Sequence, residues 1–262
     1  MFTTYQSKLL ERSTLVPGVD KLIFTRPGGN PDWTFQAGQY MIFHIPQGAD
    51  HAARRQYSIA SPPQPKADPP LAESQKNHLE FIIEYVPNGV ASTYLPQMKT
   101  GDLLTMQGPA GVFIHRPSPR HAIYLATGTG IAPMFSMIPD KFSDRNFSQN
   151  IYLYWGLRNY NDIYYLDYLI NLKNTYSQRF DFSVCLSRES ELKSKLKQEL
   201  LQFFTLGHVN LGVETLLTRL QTSHASFDYY LCGSKIVVES LRVYLTDKGV
   251  TKEQVTFEKF TL

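Results

Sequence analysis

Three stretches of this 262-residue chain combine residue types that could hold and transform a ligand. The first is Arg55-Gln56-Tyr57-Ser58-Ile59-Ala60-Ser61, at the end of a strand-like run. Alternation of period two puts Arg55 and Tyr57 on one face, so a cation and an aromatic plane meet the same ligand. An arginine forks onto a pyrophosphate, and a tyrosine stacks on a ring system. Ser58 falls on the opposite face of an ideal strand and reaches that ligand only where the strand ends or twists. The same string also reads as a surface arginine and a core tyrosine in an ordinary strand.

The second stretch, Gly89-Val90-Ala91-Ser92-Thr93-Tyr94-Leu95, follows an apolar run at Leu79–Val86. A glycine, small residues and two hydroxyls before an apolar pair suit a helix start with free N–H groups, which is a phosphate site or a simple capped helix. The third, Leu125-Ala126-Thr127-Gly128-Thr129-Gly130-Ile131-Ala132-Pro133, leaves a strand and opens a helix, with Pro133 placed for its first turn. Glycines there let backbone approach a ligand, and the helix start favours anions. The pattern is G-x-G-x-x-P and departs from the dinucleotide fingerprint G-x-G-x-x-G. Its place at the carboxyl end of a first parallel strand is nonetheless where open α/β sheets bind ligands. Three later strand ends carry candidates of the same kind: Arg158 after Tyr154-Trp155-Gly156-Leu157, Ser187-Arg188-Glu189, and Cys232-Gly233. Solvated loop arginines and an inert packed thiol are the competing readings there. Gly108-Pro109-Ala110-Gly111-Val112-Phe113 reads as the turn that closes a first domain.

The elements that must position these residues divide the chain in two. Up to about residue 115, short strands (Lys21–Thr25, Tyr40–Ile45, Gln56–Ala60, Leu79–Val86) are bounded by Gly, Pro and Asn, which indicates an antiparallel barrel or sandwich. Residues 62–78 read as a polar surface loop. From His121, strands at Ala122–Ala126, Ile151–Trp155, Phe182–Leu186, Tyr229–Leu231 and Val255–Phe257 alternate with helical spacing at Pro133–Phe142, Leu166–Tyr176, Glu214–Thr222 and Lys235–Lys248. That alternation implies βαβ units and a parallel sheet. Pro117 and Pro119 bracket a short linker, giving domains 1–116 and 117–262.

Composition removes several function classes. With 26 basic and 23 acidic residues the net charge is +3, too mild for an obligate nucleic-acid binder. Hydrophobic residues at 42% and charged ones at 19% exclude disorder. The two cysteines, Cys185 and Cys232, cannot supply the four thiolates of an iron–sulfur cluster or a disulfide scaffold, and no metal site is expected. Free thiols fit a reducing compartment. MFTTYQSKLLERS lacks a basic segment followed by an apolar one, so a cytoplasmic location is expected. The longest uncharged run, His121–Pro139, is a poor membrane span because it holds Gly128, Gly130, Pro133 and several threonines. Aromatic residues reach 13%, which fits a β-rich fold or the lining of a flat ligand.

Taken in order, the motifs resemble the ferredoxin–NADP(+) reductase superfamily of flavoenzymes. The resemblance is carried by Ala37-Gly38-Gln39-Tyr40, RQYSIAS, GVASTYL, GPAGVF, LATGTGIAP, YWGLRN, LCGS and Phe257-Glu258-Lys259-Phe260. It implies an N-terminal antiparallel Greek-key β-barrel that binds FAD and a C-terminal Rossmann-like parallel-sheet domain that binds NAD(P)H. By position, Arg55 would contact the flavin pyrophosphate, Tyr57 would lie against the flavin, and Ser58 would sit near its N5 atom. Val90, Ala91 and Ser92 would hold the diphosphate, and Gln56, Ile83, Glu84 and Gly89 complete the implied cofactor contacts. Gly128, Thr129 and Gly130 would lie by the nicotinamide and pyrophosphate, with Cys232 and Gly233 flanking the nicotinamide. Phe260 resembles C-terminal aromatics that cover the flavin in some members.

Ser58 and Cys232 are thus the implied catalytic pair, for hydride transfer from nicotinamide to flavin. Ser187-Arg188 resembles the pair that plant-type members place on the 2′-phosphate, which tilts the reading slightly toward NADPH. Arg158 is a further ribose-phosphate candidate, and Lys193, Lys195 and Lys197 are loose ones. The charged run from Arg188 to Glu199 reads as a solvated helix face. With only two cysteines, too few for a cluster, the expected acceptor is separate: a ferredoxin, an oxygenase component or a small oxidant. A reductase that releases reduced flavin, and a flavin-binding regulatory module without turnover, are the competing functions.

Overall fold

The computed structural model of the chain describes residues 3–30, 33–48, 51–63, 78–192, 194 and 196–260. Most of the expected 62–78 loop, together with Lys193 and Lys195, lies outside the described residues. The chain forms two compact units. One comprises Met1–His115 and Ala132–Arg145, the other Arg116–Ile131 and Asn146–Leu262.

The first unit is built on six strands: β1 (Thr4–Val16), β2 (Val19–Thr25), β3 (Tyr40–Pro46), β4 (Ala52–Ser58), β5 (His78–Glu84) and β6 (Leu103–Ala110). They pair antiparallel in the order β4-β3-β6-β1-β2-β5, so β6 returns from the β5 edge to the middle of the sheet. The two edges meet where Ala60, just past β4, donates its N–H to the Glu80 carbonyl at 2.8 Å, closing the sheet into a barrel. Alternation is clean on β2 and β3, where Leu22, Phe24, Met41, Phe43 and Ile45 are buried and their neighbours are not. Inside, Phe24, Phe43 and Phe81 pack edge to face with centroids 4.9–6.1 Å apart, an arrangement favoured by the ring quadrupole. A short helix, α1 (Val90–Tyr94), follows β5.

Helix α2 (Ala132–Ser143) groups with this barrel, although it follows the first strand of the parallel sheet in the chain. The sequence reading put it with the α/β half. A buried hydrogen bond explains part of the difference: the Ser136 hydroxyl donates to the Ser61 carbonyl at 2.8 Å.

The second unit holds β7 (His121–Thr127), β8 (Ile151–Leu157), β9 (Phe180–Leu186), β10 (Phe204–Leu206), β11 (Phe227–Ser234) and β12 (Val255–Phe260). Helices α3 (Leu166–Thr175), α4 (Val209–Leu220) and α5 (Lys235–Asp247) connect them. All strand pairs are parallel, in the order β10-β9-β8-β7-β11-β12. The inner strands β7, β8 and β11 are buried almost throughout, as a sheet covered on both faces requires. Strand order reverses between β7 and β11, and ligands of open α/β sheets bind outside the carboxyl ends at such a point.

The run from Arg188 to Glu199 departs from the expected helix face. Its described residues form turns and irregular chain, followed by a 3-10 helix at Gln198–Phe203. Leu192 is its one buried apolar side chain, and the Glu191 carboxylate takes the Ser194 N–H at 2.7 Å. An amphipathic helix needs a fuller apolar stripe than that.

Candidate functional site

In the first unit, β4 presents the candidate residues on alternating faces. Tyr57 is half-buried, with its ring 4.7 Å from that of Phe43. Burial pushes its phenol up to about 12, and the nearby Arg55 cation offsets only part of this, so the ring is neutral at ordinary pH. Arg55 is exposed and makes one hydrogen bond, from its guanidinium to the Arg54 carbonyl at 2.9 Å. Neither Arg54 nor Arg55 has a carboxylate partner among the described residues. Ser58, the last residue of β4, is buried at 5% exposure.

Two expected contacts point elsewhere. Gln56 faces away from Arg55 and Tyr57, and its amide donates to the Tyr40 hydroxyl at 3.2 Å. Ile83 shares the inward parity of Leu79 and Phe81 and is 1% exposed in the barrel core, so its side chain is closed to a ligand. Glu84, one residue on, is exposed at the end of β5.

Beyond β5 the chain enters α1, whose N-cap is Gly89 and whose start has no side-chain cap. The N–H groups of the first turn therefore have no intrahelical acceptor. Ala91 is buried, and Val90 and Ser92 are half-buried. The Ser92 oxygen accepts the Val86 N–H at 2.8 Å, which ties the helix start to the strand it follows. What Ser92 offers an anion is accordingly its N–H and hydroxyl proton. An unpaired arginine, a neutral half-buried tyrosine and an uncapped helix start suit a pyrophosphate joined to a flat ring, which is the chemistry of FAD.

In the second unit, the carboxyl ends of β7 and β11 touch. A Cβ on Gly130 would stand 2.3 Å from the Cys232 carbonyl oxygen, and one on Gly233 would stand 2.1 Å from the Thr127 hydroxyl oxygen. These two glycines answer an internal packing need, where the sequence reading had assigned Gly130 to ligand approach. Gly128 has φ +54°, and its carbonyl accepts the indole N–H of buried Trp155 at 2.9 Å. Its neighbour Thr129 lies in the same 3-10 turn, Gly128–Ile131. The loop is thus held from two neighbouring strands.

Cys232 is 1% exposed. Burial raises its thiol well above the ordinary value and the Glu258 charge adds to this, so it stays protonated. Phe260 is half-buried and pairs in register with Ser234, beside the end of β11.

On the other side of β7, the loops after β8 and β9 are stitched together. The Ser187 N–H and hydroxyl both donate to the Leu157 carbonyl, at 3.1 and 3.2 Å. The Arg188 N–H donates to the Arg158 carbonyl at 2.9 Å. Both arginine side chains are exposed and have no carboxylate partner among the described residues. Lys197 is the N-cap of the 3-10 helix that precedes β10. Sequence reasoning missed Thr127, Trp155 and Glu189 as supports of this edge. A buried tryptophan beside a glycine turn was the one available signal. Among the described residues, no group of three or more His, Cys, Asp or Glu could hold a metal ion.

Known proteins share both units. Residues 6–115 match the oxidoreductase FAD-binding domain family and residues 124–242 match the oxidoreductase NAD-binding domain family. The anthranilate 1,2-dioxygenase electron transfer component of Acinetobacter baylyi is 29% identical over 86% of this chain and 58% of its own length. The propane 2-monooxygenase reductase component of Mycolicibacterium smegmatis is 28% identical over 87% of this chain and 59% of its own. The chain therefore spans somewhat under three fifths of the length of these relatives. In fold it resembles the ferredoxin NADP+ reductase of Neisseria gonorrhoeae with bound FAD and NADP. The TM-score is 0.74, at 20% identity and with 98% of each chain covered. An FAD-binding barrel followed by an NAD-binding parallel sheet makes the chain a member of the ferredoxin–NADP(+) reductase superfamily.

Proposed function

We propose that this protein is an FAD-dependent NAD(P)H oxidoreductase that passes electrons to a separate acceptor, a ferredoxin or the terminal component of an oxygenase. The observation that carries this reading is the pairing, on one chain, of an FAD-binding barrel with an NAD-binding sheet, each with uncompensated arginines on a candidate ligand edge. The relatives named as electron transfer or reductase components of oxygenases support the acceptor class.

Bound FAD would supply the hydride acceptor and the onward electron donor. The chain's own residues would do the holding. Arg55 would neutralise the diphosphate, with the first-turn N–H groups of Val90, Ala91 and Ser92 beside it. Tyr57 would offer its ring as a flat apolar wall, and Ser58 would place a hydroxyl at the strand end. In the second unit, Gly128, Thr129 and Gly130 would receive the nicotinamide nucleotide, with Cys232 and Gly233 opposite. Cys232 would act there as a neutral thiol, because burial disfavours its thiolate. The exposed pair Arg158 and Arg188, with Ser187, supports NADPH over NADH. The free thiols of Cys185 and Cys232 support action in a reducing, cytoplasmic compartment. No helix among the described residues is long and apolar enough to cross a membrane.

Anaerobic mixing of the FAD-loaded protein with NADH and with NADPH tests the proposal. Bleaching of the flavin absorbance, followed by recovery when an oxidised ferredoxin or oxygenase component is added, is the expected result. Failure of both nucleotides to bleach would leave only a flavin-binding module. FAD that separates from the protein on gel filtration would instead mark a reductase that releases reduced flavin.

A further inference from the structure

Glu189 follows exposed Arg188 in the loop after β9 and reaches the loop after β8 that carries exposed Arg158. Its Oε1 accepts the backbone N–H of Tyr160 at 2.8 Å, and neither Arg158 nor Arg188 has a carboxylate partner among the described residues. Tyr160 opens the 3-10 helix Tyr160–Asp162, so its N–H has no acceptor within that helix. The preceding N–H, of Asn159, is taken by Asp162 at 2.8 Å. With the Ser187-to-Leu157 bonds before the two arginines and the Arg188-to-Arg158 backbone bond at them, the Glu189 contact after them fastens the loop after β8 to the loop after β9.

We propose that Glu189 is a positioning residue that fixes the spacing of Arg158 and Arg188 for a phosphate group of the nicotinamide nucleotide. The inference rests on the nucleotide-binding reading of the second unit. A carboxylate beside a phosphate site has two opposed effects. Its charge repels the ligand, and its acceptor atom holds the loop that carries one of the guanidinium groups. Glutamine separates them, because its amide oxygen still accepts the Tyr160 N–H while the charge is gone. Alanine removes both.

Isothermal titration of the FAD-loaded protein with 2′,5′-ADP and with 5′-ADP reads the effect without turnover. Glu189→Ala is expected to raise the Kd of the bound probe about tenfold, the loss from one charge-assisted hydrogen bond. Glu189→Gln is expected to bind as tightly as the unsubstituted protein, or tighter at low salt. Glu189→Asp keeps the charge but falls short of Tyr160, and it is expected to weaken binding as the alanine does. A larger loss with 2′,5′-ADP assigns the phosphate to the ribose 2′ position, and an equal loss with both probes assigns it to the diphosphate. Tighter binding in Glu189→Ala, or equal weakening in the alanine and glutamine variants, would overturn the positioning role. Arg158→Ala and Arg188→Ala that both bind the probes normally would instead overturn the nucleotide reading on which it rests.

Discussion

Replacing Arg55 by alanine removes a guanidinium that the fold itself hardly uses. The side chain is exposed and its one hydrogen bond goes to the carbonyl of the preceding residue, so the unfolding free energy should change by less than about 0.5 kcal/mol. The effect on FAD is expected to be far larger. A forked guanidinium makes two charge-assisted hydrogen bonds to a pyrophosphate, each worth about 1.5–3 kcal/mol. The open setting of Arg55 favours the lower end, for a combined loss of about 2–3 kcal/mol. At about 1.4 kcal/mol per factor of ten, Kd for FAD rises about 30-fold to 140-fold. Titrating the apoprotein with FAD and following fluorescence quenching measures this directly. Arg54→Ala is the control, because it removes an equally exposed and equally unpaired cation from the other face of β4. If Arg55→Ala keeps FAD within twofold of the parent affinity, or if Arg54→Ala loses as much, the pyrophosphate assignment is wrong.

Other perturbations reach other parts of the molecule. Gly130→Ala places a methyl 2.3 Å from the Cys232 carbonyl oxygen, so it is expected to cost about 1–3 kcal/mol of stability even without nucleotide. An unchanged melting temperature would mean the β7 and β11 ends are not in contact as described. Cys232→Ala is expected to keep FAD but slow flavin reduction in stopped-flow traces; a parental rate removes Cys232 from the reaction. In the parent protein that rate should show no inflection near pH 9, the ordinary thiol value, because burial holds the thiol protonated. On α4, hydrogen bonds from Lys248 and Tyr244 hold the Glu214 carboxyl down at about 2, so its stabilising effect is present above its unfolded value and lost as pH falls from about 4.5 toward 2. Burial lowers His224, which hydrogen-bonds the Tyr229 hydroxyl, so acid also erodes stability from about pH 6.5 downward. Glu214→Gln should flatten the lower limb of the acid unfolding curve, by at most about 1 kcal/mol because the group is partly exposed; an unchanged limb would place the acid sensitivity elsewhere.

The legible parts of the fold were those with one clear periodicity. β2 and β3 alternate strictly, and β7, β8 and β11 are short apolar runs between turn residues. β1 escaped because Lys8, Glu11 and Arg12 interrupt it and more than half of its length faces solvent. β6 escaped for a different reason. It contains Gly108 and Pro109, which read locally as a turn, yet it lies between β3 and β1 in the sheet. Within the candidate site, the motifs fall at strand ends but do not orient every side chain. Parity carried the missing information: Ile83 falls in step with Leu79 and Phe81, which face the core, and Gln56 falls in step with Arg54, away from Tyr57. Motif membership says that a position matters to the family. The two-residue period says which way the residue points.

Backbone approach and charge compensation separate what the fold needs from what a ligand needs. Gly130 and Gly233 would remain necessary without any nucleotide, since the atoms a Cβ would strike are a carbonyl and a hydroxyl of this same unit. The arginines divide by the same test. Arg120 pairs with Asp228, Arg219 with Asp181 and Arg242 with Glu239, and buried Arg26 donates to the carbonyls of Trp33 and Pro63. Those four hold the fold. An unpaired arginine alone proves little, since Arg116 and Arg145 also have no carboxylate partner among the described residues. Position makes the difference for Arg55 and for Arg158 with Arg188. Arg55 lies on the closing edge of the barrel, on the face of Tyr57, and the other two lie at the carboxyl ends of two adjacent parallel strands. In each place a guanidinium left without a carboxylate keeps its full charge for an incoming phosphate, and a counter-ion supplied by the fold would cancel it. The net charge of +3 is small because 23 acidic residues nearly offset 26 basic ones, so an anionic ligand gains from arginines placed at strand ends and not from a general basic field.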